Sequence, residues 1–339
     1  MASVNRQVWQ NKTGVPGIIR DSKIPSVSDI RESQLVVKVH AWAMNPCDAI
    51  LQKTALPFVK YPVILGQDVA GTVEAVGSAA ASRFKKGDCV FGASINNGFQ
   101  EYVALENILA AKIPDNLSCS EATVFPLTIT TTCFGLFAPG FLELPHPTLD
   151  TAPCSAGKSV LIWGASSSVG SNAVQMAAAA GLDVIATSSS SNFDYVKGLG
   201  ATKAFDYKSP SVIDDVVAEL DKGTCAGILL AAGSVADACQ VSHRSRQKLL
   251  VASSNPPKPE DAPEGVEVKF IFADGNDMGP FELIFPVAFG GYLPEALGKG
   301  KYKIAPPPEA VSTKGLEGIQ EALDLMKKGV SAKKLVVVD

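Results

Sequence analysis

The stretch that most constrains this chain runs from Val160 to Ala180. An apolar run, Val160-Leu-Ile-Trp163, breaks into Gly164-Ala-Ser-Ser-Ser-Val-Gly170 and then into an Ala-rich segment, Asn172 to Ala180. The short apolar run reads as a buried strand, and the Ala-rich segment reads as a helix. Small residues at Gly164, Ala165, Ser166, Ser167 and Gly170 let a phosphorylated ligand approach the backbone. The free N–H groups and dipole of the helix start favour negative charge at the same place. Strand, tight turn and helix start together make a dinucleotide cradle. Gly164, Ser167 and Gly170 keep the glycine-rich rhythm with a serine in the middle, so the spacing is a weak signal that gains its force from context.

A second apolar strand, Asp183 to Thr187, ends in Ser188, Ser189, Ser190, Ser191 and Asn192. A site for an unphosphorylated ribose places Asp or Glu here to bind its hydroxyls. A carboxylate would repel a 2′-phosphate, whereas hydroxyl and amide groups donate to one, which favours NADPH. No Arg stands in the tract, and the competing reading is a solvated Ser-rich loop.

From Ser159 onward strands and helices alternate. Val160–Trp163, Asp183–Thr187, Ala204–Tyr207, Gly227–Ala231, Lys248–Ala252 and Val266–Phe272 are strand-like, with helical stretches between them. That alternation predicts an α/β domain, a doubly wound parallel sheet covered on both faces, over residues 126–274. The first part of the chain differs. Short strands recur at Gln34–His40, Asp68–Val76, Asp88–Phe91 and Gln100–Ala104 with Gly and Pro punctuation, which predicts a compact β-rich domain. A helical pattern at Gly315–Lys328 and a strand at Leu335–Val338 have no place in a six-stranded sheet, so residues 275–339 are expected to return to residues 1–125. A cleft between the two domains would then hold nicotinamide and substrate.

With 339 residues, 46% of them hydrophobic, the chain can bury a large core in two domains. Its apolar stretches fall short of the ~20 residues that span a bilayer. The first residues lack an apolar signal region, which makes the cytoplasm the expected compartment. Thirty basic against 34 acidic residues, without a Lys/Arg stripe, argue against a nucleic-acid partner. Seven scattered cysteines with no CxxC pair read as reduced and mostly buried.

Asn45-Pro-Cys-Asp48, Gly66-Gln-Asp-Val-Ala-Gly-Thr-Val-Glu-Ala-Val-Gly77, Lys86-Gly-Asp-Cys-Val90, the Gly164–Gly170 turn, and Leu199-Gly-Ala-Thr with Phe205-Asp-Tyr207 carry a resemblance over nearly the whole chain. It is to the medium-chain dehydrogenase/reductase superfamily, in its zinc-independent, quinone-reductase-like branch. The turn after Trp163 and Asn192-Phe-Asp-Tyr-Val-Lys197 further resemble fungal proteins labelled zinc-binding alcohol dehydrogenase-like, a group that includes trans-acting enoyl reductases of polyketide assembly. The resemblance implies a GroES-like β-rich catalytic domain beside a Rossmann domain for NADPH.

In the zinc-dependent relatives a Cys matches Asn45 and a His matches Gln67. The only histidines here are His40, His146 and His243, and no group of four close cysteines lies between Val90 and Gln100. Metal is therefore expected to be absent, since a catalytic zinc needs three protein ligands at one point. Without a Lewis acid, reduction of a C=C bond conjugated to a carbonyl fits: hydride adds to the β-carbon, charge gathers on the carbonyl oxygen, and a proton returns to the α-carbon. Carbonyl reduction would instead need a metal or a strong acid to protonate an alkoxide. Relatives carry an aromatic hydroxyl or a lysine at the position matching Ile50, which here cannot donate a proton.

Residue by residue, the resemblance implies that Cys47, Asp48, Ala49 and Ile50 line the nicotinamide, with simple core packing as the alternative for Ile50. Among Thr128, Thr130, Thr131 and Thr132, Thr131 is the expected catalytic contact, the alternative being ordinary helix hydroxyls; Thr132, Cys133 and Phe134 are expected at the substrate. Gly164, Ser166, Ser167, Ser168 and Val169 are expected at the pyrophosphate. Ser189, Ser190, Ser191 and Asn192 are expected at the 2′-phosphate, with Tyr207 beside it. Ser253, Val330 and Ser331 are further cofactor contacts, while Phe272 and Asp274 are expected at the substrate mouth.

The expected substrate is an enone or enoyl thioester, with a polyketide synthase as a partner. A Pro-rich insertion from Phe141 to Pro153 favours a monomer over the edge-to-edge dimer of many relatives. Two other readings stand beside this one: a quinone or carbonyl reductase using the same cleft, and a non-redox protein that retains nucleotide.

Overall fold

The computed structural model describes residues 4–57, 59–149, 157–273, 275 and 277–339. Two compact units divide it: Thr128–Pro306, and Met1–Leu127 with Pro307–Asp339.

In the first of these, six parallel strands form one sheet: Lys158–Trp163, Asp183–Ser188, Ala201–Asp206, Thr224–Leu230, Val251–Ser253 and Val268–Phe270. Numbered along the chain, they lie in the order 3-2-1-4-5-6. This is the doubly wound Rossmann order, whose ligand crevice opens at the carboxyl ends of strands 1 and 4. The central strand is apolar at every position from Val160 to Trp163 because helices cover both faces, and Val160, Leu161 and Ile162 are wholly buried. Helices Ser168–Ala179, Phe193–Gly198, Val212–Leu220 and Val235–Arg244 supply those layers.

Residues 275–306 were expected to leave this unit, and the structure corrects that boundary: the chain crosses over only after Pro306. Helices Gly279–Ala288 and Tyr292–Gly298 belong to the Rossmann unit. Phe281 packs edge-on against Phe134 with ring centroids 5.4 Å apart. Asn172 donates to the Ala305 carbonyl at 3.2 Å and accepts from the Tyr302 phenol at 2.9 Å. These buried polar contacts hold the segment where a strand-and-helix count leaves it no slot.

The other unit is built on the ten-residue strand Gln34–Ala43. It pairs antiparallel with Asp68–Val76, Tyr102–Glu106 and Lys334–Val338. Cys89–Ala93, Ala110–Lys112 and Pro308–Ala310 complete a seven-stranded mixed sheet. A smaller sheet holds Ile18–Ser22, Asn5–Gln10 and Val63–Ile64. The tail therefore returns to the β-rich unit through Val336 opposite Ala43 and Val338 opposite Ala41. Leu35, Val37, Trp42, Val73, Phe99, Leu335 and Val337 form its core, against which helix Gly318–Lys328 lays Ile319, Ala322 and Leu323. Those three positions sit at the i, i+3, i+4 spacing of one helix face.

Candidate active site

Trp163 ends the central Rossmann strand and Gly164 turns the chain with φ of +78°, a conformation that favours glycine. A Cβ on Gly164 would come within 2.4 Å of the Ala232 carbonyl, and one on Gly170 within 2.3 Å of the Gly164 carbonyl. Backbone thus packs directly on backbone in this turn. Ser167 caps the helix that follows, its Oγ accepting the Gly170 N–H at 3.1 Å. The first-turn amides of Ser168 and Val169 have no acceptor inside the helix. Ser166, Ser167, Ser168 and Val169 remain partly exposed around them. Open amides at the N-terminus of a 12-residue helix fit a dinucleotide's pyrophosphate.

One strand away, a single-turn helix Ser190–Asn192 presents Ser190 and Ser191 to solvent. Ser189 Oγ lies 3.0 Å from Ser191 Oγ and accepts from the Asn192 amide at 3.1 Å. Tyr207 stands beside this loop, donating its N–H to the Ser188 carbonyl at 3.2 Å, with its ring exposed. Lys208 holds its ammonium 5.8 Å from the centre of that ring. The sequence reading passed over this cation because it searched only the Ser188–Asn192 tract. Asp206 lies at the same strand end, its carboxyl lowered chiefly by the Lys208 backbone N–H and also by Ser190.

In the β-rich unit, Asn45-Pro-Cys-Asp48 begins helix Pro46–Lys53 with Pro at its first turn, where a missing N–H costs nothing. Asp48 is wholly buried, and its Oδ2 accepts the Asn45 N–H at 2.8 Å. Its Oδ1 receives no hydrogen bond of standard geometry, though the Gly66 amide favours the charged form. Burial pushes the Asp48 carboxyl up to about 7, with the Asp68 charge adding to the rise. The neighbouring Cys47 thiol is raised well above its ordinary value, first by burial and then by Asp48. Ala49 is buried, whereas Ile50 is 50% exposed and is not the core residue of the alternative reading.

Beneath this helix start lies a charge network that the sequence reading missed. Lys334, 2% exposed, places its ammonium 3.0 Å from Asp68 Oδ2 and 2.5 Å from Asn45 Oδ1. Asn45 donates its amide to Asp68 Oδ2 at 2.8 Å, and Asp68 Oδ1 accepts the Leu127 N–H at 2.6 Å. Lys334 opens the apolar run Lys-Leu-Val-Val-Val338, and a lysine at the mouth of a buried strand is the signal that pointed here.

The same contacts test a metal. Asn45 is engaged at both ends by charged protein groups, and Gln67 is engaged by Asn96 through its amide and its carbonyl. An ammonium 2.5 Å from Asn45 Oδ1 repels a second cation, so these residues do not fit zinc. Among the described residues no three His, Cys, Asp or Glu side chains converge as ligands.

Helix Pro126–Phe137 carries the threonines. Thr131 is half-buried, whereas Thr132 is buried and donates to the Val169 carbonyl at 3.1 Å, which ties the helix to the phosphate turn. Cys133, expected at the substrate, is fully enclosed and its thiol raised by burial; Phe134 is buried against Phe281. Ser253, expected at the cofactor, is fully buried and its hydroxyl donates to the Asn255 carbonyl at 2.6 Å. A short strand there ends in a turn that claims the hydroxyl. Val330 and Ser331 are exposed in the loop before the closing strand. Phe272 is exposed and stacked on Phe270 at 5.8 Å. Asp274, and the insertion from 150 to 153, lie outside the described residues.

Comparison with known proteins agrees with this geometry. Residues 31–115 match the alcohol dehydrogenase GroES-like domain, and residues 168–251 match the zinc-binding dehydrogenase family. Dehydrogenase orf1 of Aspergillus niger is 42% identical, covering 95% of this chain and 97% of its own. Trans-enoyl reductase himH of Aspergillus japonicus is 36% identical, covering 99% and 98%. A solved alcohol dehydrogenase superfamily protein from Novosphingobium aromaticivorans shares the fold, with a TM-score of 0.77 at 24% identity over 99% of this chain and 100% of its own. Built from a GroES-like unit and a Rossmann unit, and matched along its length by dehydrogenases and enoyl reductases, the chain belongs to the medium-chain dehydrogenase/reductase superfamily.

Proposed function

We propose that this protein reduces a C=C bond conjugated to a carbonyl, using NADPH and no metal. The observation that carries the metal-free part is the Lys334 ammonium on Asn45, at the position where zinc-dependent relatives place a ligand. The similarity to himH, a trans-enoyl reductase by name, supports an enone or enoyl thioester as substrate; a polyketide synthase as the supplier of that substrate is the partner we assign from the resemblance of the phosphate-turn sequence alone.

NADPH, when bound, supplies hydride to the β-carbon. The chain's own part is to hold, orient and neutralise. Ser166, Ser167, Ser168 and Val169 surround the pyrophosphate with open amides and hydroxyls. Ser189, Ser190, Ser191 and Asn192 donate to the 2′-phosphate, and the Lys208 ammonium balances its charge. Tyr207 flanks it. Cys47, Asp48, Ala49 and Ile50 are assigned to the nicotinamide, with Val330 and Ser331 as a further contact of the same unit. The Thr131 hydroxyl is assigned to the substrate carbonyl, where a donor stabilises developing negative charge. Ile50 has no acidic proton, so the α-carbon is assigned its proton from water or a substrate-borne group.

Purified protein is mixed with NADPH and, separately, enones, enoyl thioesters, quinones and aldehydes, and cofactor oxidation is followed. Oxidation with enones or enoyl thioesters is the expected result. Turnover of aldehydes or quinones alone overturns the substrate class, and stoichiometric zinc by elemental analysis overturns the metal-free chemistry. Tight NADPH binding without turnover of any acceptor points to the non-redox reading.

A further inference from the structure

The buried network beneath helix Pro46–Lys53 contains an unusual choice. An Asn at the start of a helix ordinarily gives its side-chain oxygen to a first-turn amide. Asn45 stands at that position and forms a capping box with Asp48, yet its side chain also reaches away from the helix. Its oxygen accepts from Lys334 at 2.5 Å and its amide donates to Asp68 at 2.8 Å. The residue that opens the helix is thereby linked to two remote strands as well.

Lys334 presents a second oddity. Lysine is rarely buried, and a buried ion pair is weak evidence of stabilisation because apolar residues of similar volume do as well. Stability alone does not account for an ammonium 2% exposed at the mouth of an otherwise apolar strand. Position does. Strands Asp68–Val76 and Lys334–Val338 flank Gln34–Ala43 on opposite sides, and the Lys334–Asp68 pair bridges them at the end from which the chain enters the helix. Asn45 hangs from both members of that pair, so the helix start is fixed in two directions.

We propose that Lys334 is a positioning residue: with Asp68 it clamps Asn45 and thereby sets where helix Pro46–Lys53 presents Cys47 to Ile50. The functional half of this inference rests on the assignment of those four residues to the nicotinamide; the structural half does not.

Two variants separate positioning from mere folding. Asn45→Ser cuts the helix from the clamp while leaving the ion pair whole, and it keeps a side-chain oxygen for the helix cap. Lys334→Met with Asp68→Asn removes both buried charges together, which avoids stranding one of them. Backbone amide exchange over residues 46–53, the urea unfolding midpoint, and kcat and KM with the best acceptor are measured for each. The expected result is faster exchange confined to that helix, with kcat lowered between about 10- and 100-fold by misplacement of the lining residues. The midpoint of the double variant is expected to stay near that of the parent. Unchanged exchange and unchanged kcat in Asn45→Ser overturn the proposal, even if the double variant fails to fold. Unchanged kcat alongside faster exchange confines Lys334 to holding the helix and overturns its catalytic consequence. A parent protein with no turnover removes the functional reading instead, and the exchange measurement still decides the clamp.

Discussion

Tyr302 donates its phenol to Asn172 Oδ1 at 2.9 Å, with both side chains sealed from solvent. Asn172 sits in the helix that begins at the phosphate turn, and its amide also donates to the Ala305 carbonyl. Removing the phenol oxygen strands a buried acceptor, so Tyr302→Phe is expected to destabilise the Rossmann unit by about 1–3 kcal/mol. Urea denaturation followed by intrinsic fluorescence measures it. A midpoint equal to that of the parent contradicts the structural role assigned to this pair.

Ser167→Ala removes the hydroxyl that caps the phosphate-turn helix. A loss of about 1 kcal/mol in stability is expected, with weaker NADPH binding in calorimetry because the first-turn amides are less well fixed. Gly170→Ala is more severe, since its Cβ meets the Gly164 carbonyl at 2.3 Å. NADPH affinity retained in Gly170→Ala contradicts the placement of the pyrophosphate.

Lys208→Glu reverses the charge of the cation placed over Tyr207. Affinity for NADPH is expected to fall about tenfold or more, while that for NADH changes little, because only the phosphorylated cofactor meets the new charge. Equal losses for the two cofactors would place the 2′-phosphate elsewhere.

Asp48 is the group for which the acid side of the stability curve carries a definite sign. Its carboxyl lies near 7 in the folded protein against an ordinary value of 3.8. Between those values the native state holds a proton that the unfolded chain has released, so this group's contribution is fully present below about pH 4 and is lost as pH rises through about 7. Asp48→Asn keeps an acceptor for the Asn45 N–H and removes the ionisation. Stability near pH 8 is expected to rise, with about 4 kcal/mol as a ceiling, and the decline between pH 4 and 7 is expected to flatten. Superimposable pH profiles of parent and variant would refute the raised carboxyl.

Much of the Rossmann unit was legible because its signals are local. An apolar run, a small-residue turn and an Ala-rich helix announce themselves within twenty residues, and the strands that follow repeat the pattern. The fate of residues 275–306 was not legible, because it depends on Tyr302 and Ala305 reaching Asn172, more than a hundred positions away. Ser253 and Cys133 were placed by resemblance to relatives, and their burial and the turn that engages the Ser253 hydroxyl were not legible in the sequence. Lys334 is marked locally by opening an apolar run, but its pairing with Asp68, like that of Tyr302 with Asn172, lies across the fold and so escaped.

The strand Lys334–Val338 completes the sheet begun by Gln34–Ala43, and the Lys334–Asn45 contact spans 289 positions. During synthesis the β-rich unit therefore waits with an open edge for a strand that follows Asn45 by 289 positions. The Rossmann unit, continuous from Thr128 to Pro306, has every strand it needs before that moment. Synthesis order thus makes the nucleotide unit the earlier to mature, and leaves the GroES-like unit with an unpaired sheet edge until Lys334–Val338 emerges.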